Sequence, residues 1–188
     1  MKVKNFEAWK LSESMIYEDM ESSDGLALFA NGNNLYTLYD PRLSDSLDGS
    51  YFRGMVRLKE NEEFNALEVT DISATKGYGP ILYLIAMTIA KKRGMGTMPD
   101  QRDTPSKLAI HIYNEFFNGR GKDLVTTEPV DTSYEAESLN QVYHIINDID
   151  ILKLTKLNEE LLRDNDNLKN ILLDEYEAGN QLFDQRNP

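Results

Sequence analysis

The sequence of 188 residues contains no cysteine and only two histidines, His111 and His144. Without cysteine there can be no disulfide framework, no thiolate metal site and no cysteine nucleophile. A metal centre built from histidines is not expected either, since such a centre takes several imidazole ligands. The sequence therefore predicts no metal site.

Basic residues and long apolar runs are also scarce. The chain has 20 Lys and Arg against 32 Asp and Glu, a net charge of −12, and it shows no basic stripe of the kind that neutralises phosphates in nucleic acids. The longest apolar run, 81–90, is too short to span a bilayer. The first ten residues lack the apolar segment of a signal peptide. We therefore expect a soluble cytoplasmic protein that binds neither nucleic acid nor membrane.

The most informative stretch is 68–93, which reads EVTDISATKGYGPILYLIAMTIAKKR. Its alternating, β-branched beginning predicts a strand. The apolar run 81–90 predicts a helix that ends at a basic cluster and at Gly94, where cations and a glycine suit a helix C-terminus. Pro80 fits the first turn of that helix, where no N–H is needed.

The turn between this strand and this helix contains Gly77 and Gly79. Glycine allows backbone angles and close approaches that a Cβ would block. Free amides at a helix start form an anion site, and Lys76 stands beside them. One interpretation is therefore a pyrophosphate cradle. The other is a tight connection that binds nothing, because short Gly-x-Gly matches are common.

The residues before this stretch predict a helix and then antiparallel strands. Apolar residues near helical spacing between Phe6 and Met20 predict an amphipathic helix. Asn31-Gly32-Asn33-Asn34 lies between two apolar runs, which is a strong hairpin signal. Gly54 is a candidate β-bulge. The predicted strands are 26–30, 35–39, 51–59 and 64–73.

After Gly94 the sequence predicts a loop over 95–104 and then a helix that begins at Pro105 and Ser106 and stops at 118–121. The loop carries Asp100, Arg102 and Asp103, for which we expect a structural role as an ion pair before the helix. Further strands are predicted at 124–126 and 139–146.

The last forty residues are charged, with apolar residues at steps of three, four and seven that describe a heptad seam. The seam consists of Leu154, Leu157, Leu161, Leu168, Ile171 and Leu172. It predicts a long amphipathic helix that ends near Gly179. Two interpretations stay open: the helix packs on its own domain, or residues 150–178 form a coiled coil with a second copy or a protein partner. We therefore divide the chain into a domain at 1–147 and a helical extension at 148–188.

The order of elements and two motifs resemble the GNAT (N-acetyltransferase) superfamily over about residues 25–146. The family's glycine turn reads Q/R-x-x-G-x-G/A. Here both glycines match, and Ala74 stands in place of Gln or Arg. The family's next helix reads N-x-x-A-x-x-x-Y. Here Ala109 and Tyr113 keep the spacing, and Ser106 replaces Asn. Three segments in order are similar to bacteriophage GNAT-like proteins: GYGPILY at 77–83, MPDQR at 98–102 and SKLA at 106–109.

The resemblance implies an α+β fold with a mixed, mostly antiparallel sheet flanked by helices, here followed by the long C-terminal helix. It implies acetyl-CoA as cofactor, with its pyrophosphate on the glycine turn and its pantetheine arm along the fourth strand. It also implies that Tyr113 returns a proton to the departing thiolate. The implied cofactor-binding residues are Ile72, Ser73, Lys76, Gly77, Tyr78, Gly79, Ile81 and Ser106.

The family often places a general base on the fourth strand, where this chain has Glu68 and Asp71. Because these positions differ by three, a regular strand places them on opposite faces, and only one can face a cleft. We prefer Glu68. His111 lies two residues before Tyr113 on a helix and points elsewhere. For all three residues the alternative is a solvated surface position.

Two functions follow. The first is an acetyl-CoA-dependent N-acyltransferase that moves acetyl directly to an amine of unknown identity, for which an acidic chain favours a cationic acceptor. The second is a catalytically inactive GNAT-fold phage protein in the host cytoplasm or the virion, acting as a structural component or binding a host protein through its C-terminal helix. Both glycines and Tyr113 favour the first, whereas Ala74 and Pro80 weaken it. Fold alone does not decide between them.

Overall fold

A computed structural model describes residues 25–31, 34–43, 52–75 and 77–150 of the chain. Beyond them it describes six single residues, which are Leu154, Lys156, Glu159, Glu160, Arg163 and Asn170. Within the described part the chain forms one seven-stranded sheet and two α-helices.

Along the described part of the chain, a meander of four antiparallel strands comes first. A helix follows the fourth strand, and a second helix follows the fifth. The strands are β1 Ala27–Asn31, β2 Leu35–Tyr39, β3 Phe52–Asn61, β4 Ala66–Ala74, β5 Gly96–Pro99, β6 Val125–Pro129 and β7 Gln141–Ile145. The helices are α1 Gly79–Lys92 and α2 Lys107–Phe117, with short 3₁₀ turns at Pro41–Leu43, Arg120–Leu124 and Glu137–Leu139. The sheet order is β1-β2-β3-β4-β5-β7-β6, and among these described strands only the β4–β5 pair is parallel. The predicted α+β class with a mixed, mostly antiparallel sheet is confirmed.

The predicted hairpin and the two strands after it are confirmed. Strand β1 pairs with β2, β2 with β3 and β3 with β4, all antiparallel. The register between β2 and β3 shifts beside Gly54, as a bulge there predicts. A Cβ on Gly54 would lie 2.6 Å from the carbonyl oxygen of Ser73 and 2.7 Å from Cδ1 of Leu82. Glycine thus lets β3 lie tight against both β4 and α1.

The helix after the glycine turn also forms as predicted. All ten residues of 81–90 are buried, as expected for a helix that is apolar on every side. At its end the amides of Arg93 and Gly94 donate to the carbonyls of Ala90 and Lys91. Gly94 has φ +72°, the left-handed conformation that glycine adopts easily.

The predicted loop over 95–104 is wrong for its first part, because Gly96–Pro99 forms strand β5. Four residues with a glycine and a proline at the ends show no alternation that a sequence pattern could reveal. All four are buried, and they pair in parallel with Ala66–Val69 of β4. Tertiary pairing, not local preference, makes this strand.

Helix α2 and strands β6 and β7 form as predicted, but their ends differ from the predicted ends by a few residues. The Oγ of Ser106 accepts a hydrogen bond from the amide of Ala109 at 3.2 Å and caps α2. The strands predicted at 124–126 and 139–146 are β6 and β7. Leu139, the first residue of the second predicted strand, belongs to the 3₁₀ turn Glu137–Leu139 instead.

The core lies between the sheet and its helices. We call the sheet face that carries α1 the helix face, and the other the reverse face. Apolar side chains of β3, β4 and β7 on the helix face pack with α1 and α2 in one cluster. Four aromatic rings join the two helices to β7, with centroids 5.1–6.5 Å apart: Tyr83, Tyr113, Phe116 and Tyr143. A smaller cluster on the reverse face contains Ala66, Met98 and Val142.

Two predicted helices fall largely or wholly on residues that the structure does not describe. The helix between Phe6 and Met20 lies outside the described residues, and so does most of the C-terminal heptad helix. Leu154 is described, and it is buried in the main core, 4% exposed. The chain at this position therefore packs on its own domain. In the described part, no helix is both long and apolar enough to cross a membrane.

Candidate active site

A gap opens in the sheet where β4 leaves its parallel neighbour. Residues 66–69 of β4 pair with 96–99 of β5. From there β4 continues to Ala74 while it pairs with β3 alone. The backbone of 71–74 therefore has a strand on one side and, among the described strands, none on the other. Such an edge can pair with an extended ligand.

A β-bulge lies at the point where the gap begins. Leu58 of β3 is opposite Val69, but the next β3 residue, Arg57, is opposite Asp71, so Thr70 is the extra residue. Directly opposed residues share a face of the sheet. Val69 and Ile72 consequently belong to the helix face with the core, and Asp71 belongs to the reverse face.

This bulge corrects the parity argument for Glu68 and Asp71. Glu68 lies opposite Lys59, and Asp71 lies opposite Arg57, two positions away on β3. Both carboxylates therefore lie on the reverse face, although a regular strand would separate them. The expectation that the two residues lie on opposite faces is wrong, because a bulge changes the phase of all residues after it.

The gap contains a cavity of about 400 Å³, within the size range of small-molecule sites. Ile72, Tyr83 and Tyr113 line it from the helix face, and Asp71 lines it from the reverse face. The segment between β5 and α2 closes the remaining side with Asp100, Asp103 and Ser106, among others. Both faces of the sheet therefore contribute residues to the cavity.

Among the residues that line the cavity, Tyr113 has the most unusual side chain. The side chain is only 2% exposed, and its hydroxyl has no hydrogen-bond partner among the described residues. An unpaired buried hydroxyl costs about 1–3 kcal/mol, so its presence calls for a ligand or a chemical role. Burial, with smaller contributions from neighbours including Tyr83 and Asp100, raises the pKa of Tyr113 well above its ordinary value. The hydroxyl thus keeps its proton at neutral pH and can act as a hydrogen-bond donor.

Three carboxylates, Asp71, Asp100 and Asp103, line the cavity, and no basic side chain does so among its described residues. Asp71 faces Nε of Arg57 at 3.7 Å. Asp100 is 7% exposed and accepts hydrogen bonds from the amide and Nε of Arg102, at 3.0 and 3.3 Å. The ion pair that the sequence predicted in this segment is therefore present between Asp100 and Arg102.

Tyr134 holds the acidic segment in place from outside. Its hydroxyl donates to the carbonyl oxygens of Asp100 and Asp103, the latter at 3.0 Å. Burial, followed by the charges of Asp100, Glu68 and Asp103, raises the pKa of Tyr134 to about 12. This hydroxyl stays protonated and remains a donor over the whole physiological range.

The glycine turn lies beyond the end of β4. Gly77 has φ +97°, which favours glycine. The amides of Gly79 and Ile81 belong to the first turn of α1, where the helix itself offers them no acceptor. Arg53 approaches this turn from β3, with its guanidinium carbon 5.0 Å from the centroid of the Tyr78 ring. Arg53 was not anticipated, because only the pairing of β3 with β4 brings it here.

The structure distributes the predicted site residues over three places. Ile72, Ser106 and Tyr113 line the cavity. The rest of β4, the turn and the start of α1 hold Ser73, Gly77, Tyr78, Gly79 and Ile81, whereas Lys76 lies outside the described residues. The two other candidates, Glu68 and His111, do not line the cavity. Glu68 is buried and accepts a 2.7 Å hydrogen bond from Nδ2 of Asn61. His111 is exposed on α2.

A search for metal-binding groups among the described residues and a search for similar proteins both found no match. In the described ranges, no group of three His, Asp or Glu side chains is placed to hold a metal ion. No protein-family model matches the chain, and no significant match was found among curated proteins or solved structures.

Proposed function

We propose that this chain is an acyl-CoA-dependent N-acyltransferase of the GNAT type, which transfers acetyl directly from acetyl-CoA to an amine. One observation carries the proposal: Tyr113 lines a cavity where β4 separates from its parallel neighbour, and its hydroxyl is buried with no hydrogen-bond partner among the described residues. The resemblance of the glycine turn and of the Ala109–Tyr113 spacing supports it. The amine and the thioester would meet in the gap from opposite faces of the sheet.

The donor would lie along the free edge of β4. The amides of a pantetheine arm can pair with the backbone of 71–74 in the way a peptide adds to a sheet edge. The strand leads directly to the glycine turn and the start of α1, where a pyrophosphate suits the free amides and the positive end of the helix dipole. Pro80 supplies no amide there. Arg53, the cation beside Tyr78, is itself paired with Asp40 at 3.2 Å, so the turn relies on its remaining amides.

The chemistry needs one proton acceptor and one proton donor. The lone pair of the neutral amine attacks the thioester carbonyl, a C–N bond forms, the C–S bond breaks, and the sulfur leaves with the electron pair of that bond. Tyr113 donates its hydroxyl proton to the leaving sulfur, and the nitrogen gives up one proton to a base. That proton returns to Tyr113 through solvent, so the products are the amide and free CoA.

We assign the acceptance of the nitrogen's proton to Asp71 rather than to Glu68. Asp71 lines the cavity, and the facing guanidinium of Arg57 orients its carboxylate. Glu68 shares the same sheet face, but its carboxylate accepts from Asn61 and does not line the cavity. A general base must lie within reach of the proton that it removes.

Calorimetric titration of acetyl-CoA into the purified protein tests the proposal. We expect micromolar binding that is lost in Gly77→Glu, because a carboxylate in the turn repels the pyrophosphate. Gly94→Glu is the matched control, since Gly94 also has positive φ but sits at the far end of α1 with open space around it. The proposal is wrong if the protein does not bind acetyl-CoA at millimolar concentration, or if both variants lose the same amount of binding affinity.

A non-catalytic GNAT-fold protein is the second candidate, and two observations favour it. Pro80 removes an amide from the turn, and the carboxylate of Glu68 is engaged by Asn61. Such a protein would bind acetyl-CoA but release no CoA in the presence of amines, or it would bind neither acetyl-CoA nor amines. A structural role in a virion, or binding of a host protein through the C-terminal helix, stays a prediction, since most of that helix lies outside the described residues.

A further inference from the structure

We propose that the acceptor is a small diamine, whose reacting nitrogen faces Asp71 while its second, charged nitrogen is held by Asp103. This inference rests on the proposed acyltransferase function and names the substrate class of the same cavity. It starts from a charge imbalance among the groups that line the cavity.

The excess of negative charge lies on the part of the cavity wall where the amine would bind. The three lining carboxylates are Asp71, Asp100 and Asp103, and no Lys, Arg or His lines the cavity among its described residues. Arg57 faces Asp71, and Arg102 bonds to Asp100. Asp103 is exposed, and within the described part of the chain its carboxylate makes no hydrogen bond or ion pair. One negative charge on the wall is thus left for a ligand.

Tyr113 independently points to a ligand, since the residue lines the same cavity and its hydroxyl is buried with no hydrogen-bond partner among the described residues. Tyr113 lies on the helix face, and Asp71 on the reverse face. The thioester sulfur must approach the hydroxyl, so the amine would come from the side of the carboxylates. An acidic wall favours a cation at that entrance.

An amine with only one nitrogen cannot keep a positive charge next to Asp103 during the reaction. The attacking nitrogen must lose its proton before it can form the C–N bond, and it is then neutral. A second ammonium group on the same molecule keeps its charge throughout and can stay paired with Asp103. The volume of about 400 Å³ must also hold the acyl group, which favours a short aliphatic diamine over a bulky acceptor.

Tyr134 positions the segment that carries this charge. Its hydroxyl bonds to the backbone of both Asp100 and Asp103, so the backbone that carries Asp103 is held in place at the cavity wall. A charge on a fixed backbone can select for the distance between the reacting nitrogen and the second one.

The test compares three four-carbon amines in an assay of CoA release from acetyl-CoA: putrescine, butylamine and γ-aminobutyrate. They share a primary amine but carry a cation, a methyl group or an anion at the other end. We expect kcat/KM to be at least about tenfold higher for putrescine than for the other two. In Asp103→Asn the KM for putrescine should rise about fivefold, the upper range for an exposed ion pair, while butylamine is unaffected.

Glu63→Gln is the matched control, because it removes one negative charge from an exposed residue of the β3–β4 turn, outside the cavity. It should leave all three KM values unchanged. If acetyl-CoA binds but the three amines react equally, or none reacts, the diamine inference is overturned while the donor site stands. If acetyl-CoA does not bind at all, the acyltransferase proposal fails and the diamine inference fails with it.

Discussion

The ring of Tyr113 on α2 meets the ring of Tyr83 on α1 edge-on, with 5.1 Å between centroids and 75° between planes. Both rings lie on the wall of the cavity. Edge-to-face contact of this kind is favourable and directional. It fixes the Tyr113 hydroxyl by packing alone, without a hydrogen bond to any described residue.

Tyr113→Phe should therefore separate function from stability. Removal of the hydroxyl keeps the ring contacts and breaks no hydrogen bond to a described residue. We expect the free energy of unfolding to stay the same or to rise by about 1 kcal/mol. Acetyl transfer should fall about a hundredfold, the usual contribution of a positioned acid. Chemical denaturation and the CoA-release assay measure the two effects.

Tyr143→Phe is the matched control within the same aromatic cluster. The hydroxyl of Tyr143 donates to the carbonyls of Ser138 and Tyr113, so its loss should lower the free energy of unfolding by about 1 kcal/mol. Activity should change little. If Tyr113→Phe destabilises as much as Tyr143→Phe and keeps full activity, Tyr113 is a core residue and not a donor.

The sequence predicts much of the fold because most elements carry their own local signal. The hairpin before Leu35, the helix at 81–90 and the cap at Ser106 each follow from residues within a few positions. Strand β5 does not, since four buried residues with a proline show no period. Its existence depends on β4, some thirty residues earlier.

The site is predictable only where a motif marks it. Motifs that resemble those of the GNAT superfamily make Tyr113 and the glycine turn candidates, but the bulge at Thr70 has no signal in the sequence and reverses the expected face of Asp71. Arg53 reaches the turn through strand pairing alone. The charge of the cavity wall arises because β4 and the segment after β5 meet in space, which no single stretch of sequence contains.

Gly54→Ala should destabilise the fold. A Cβ at this position would come within 2.6 Å of a β4 carbonyl oxygen and 2.7 Å of Leu82, so backbone must move. We expect a loss of about 3 kcal/mol in the free energy of unfolding, at the upper end for overpacking. Gly94→Ala is the control: its φ of +72° is strained for alanine, but nothing lies within 4 Å of the new atom. It should cost only about 1 kcal/mol. Equal losses would mean that backbone angle, not close packing, selects glycine at position 54.

Asp40→Asn should lower stability in a pH-dependent way. Burial raises the pKa of Asp40, but hydrogen bonds from Arg42 and Arg53 outweigh burial and hold the pKa below its ordinary value of 3.8. A lowered folded-state pKa gives stability that is present above the unfolded-state pKa and is lost as pH falls through the folded-state value. Near neutral pH we expect the variant to be less stable by about 2 kcal/mol. Urea denaturation should show the difference shrinking below about pH 4. A difference that is constant with pH would show that the carboxylate charge contributes nothing.

Pro80→Ala should improve donor binding while it weakens the fold. Proline at the start of α1 has no N–H, and alanine would add a third amide beside those of Gly79 and Ile81. A hydrogen bond to a charged group contributes about 1.5 kcal/mol, so the Kd for acetyl-CoA should fall about tenfold. The free energy of unfolding should fall by about 0.5 kcal/mol, because alanine leaves the unfolded chain more freedom.

Two controls identify the phosphate as the source of that gain. S-acetylpantetheine lacks the pyrophosphate, so its affinity should be the same for the original protein and for Pro80→Ala. Pro129→Ala removes an exposed proline at the far edge of the sheet and should leave acetyl-CoA binding unchanged. If Pro80→Ala tightens both ligands equally, the new amide does not contact phosphate and the turn is not the anion site. If it tightens neither, the start of α1 is only a tight connection between β4 and the helix, and the donor must bind elsewhere.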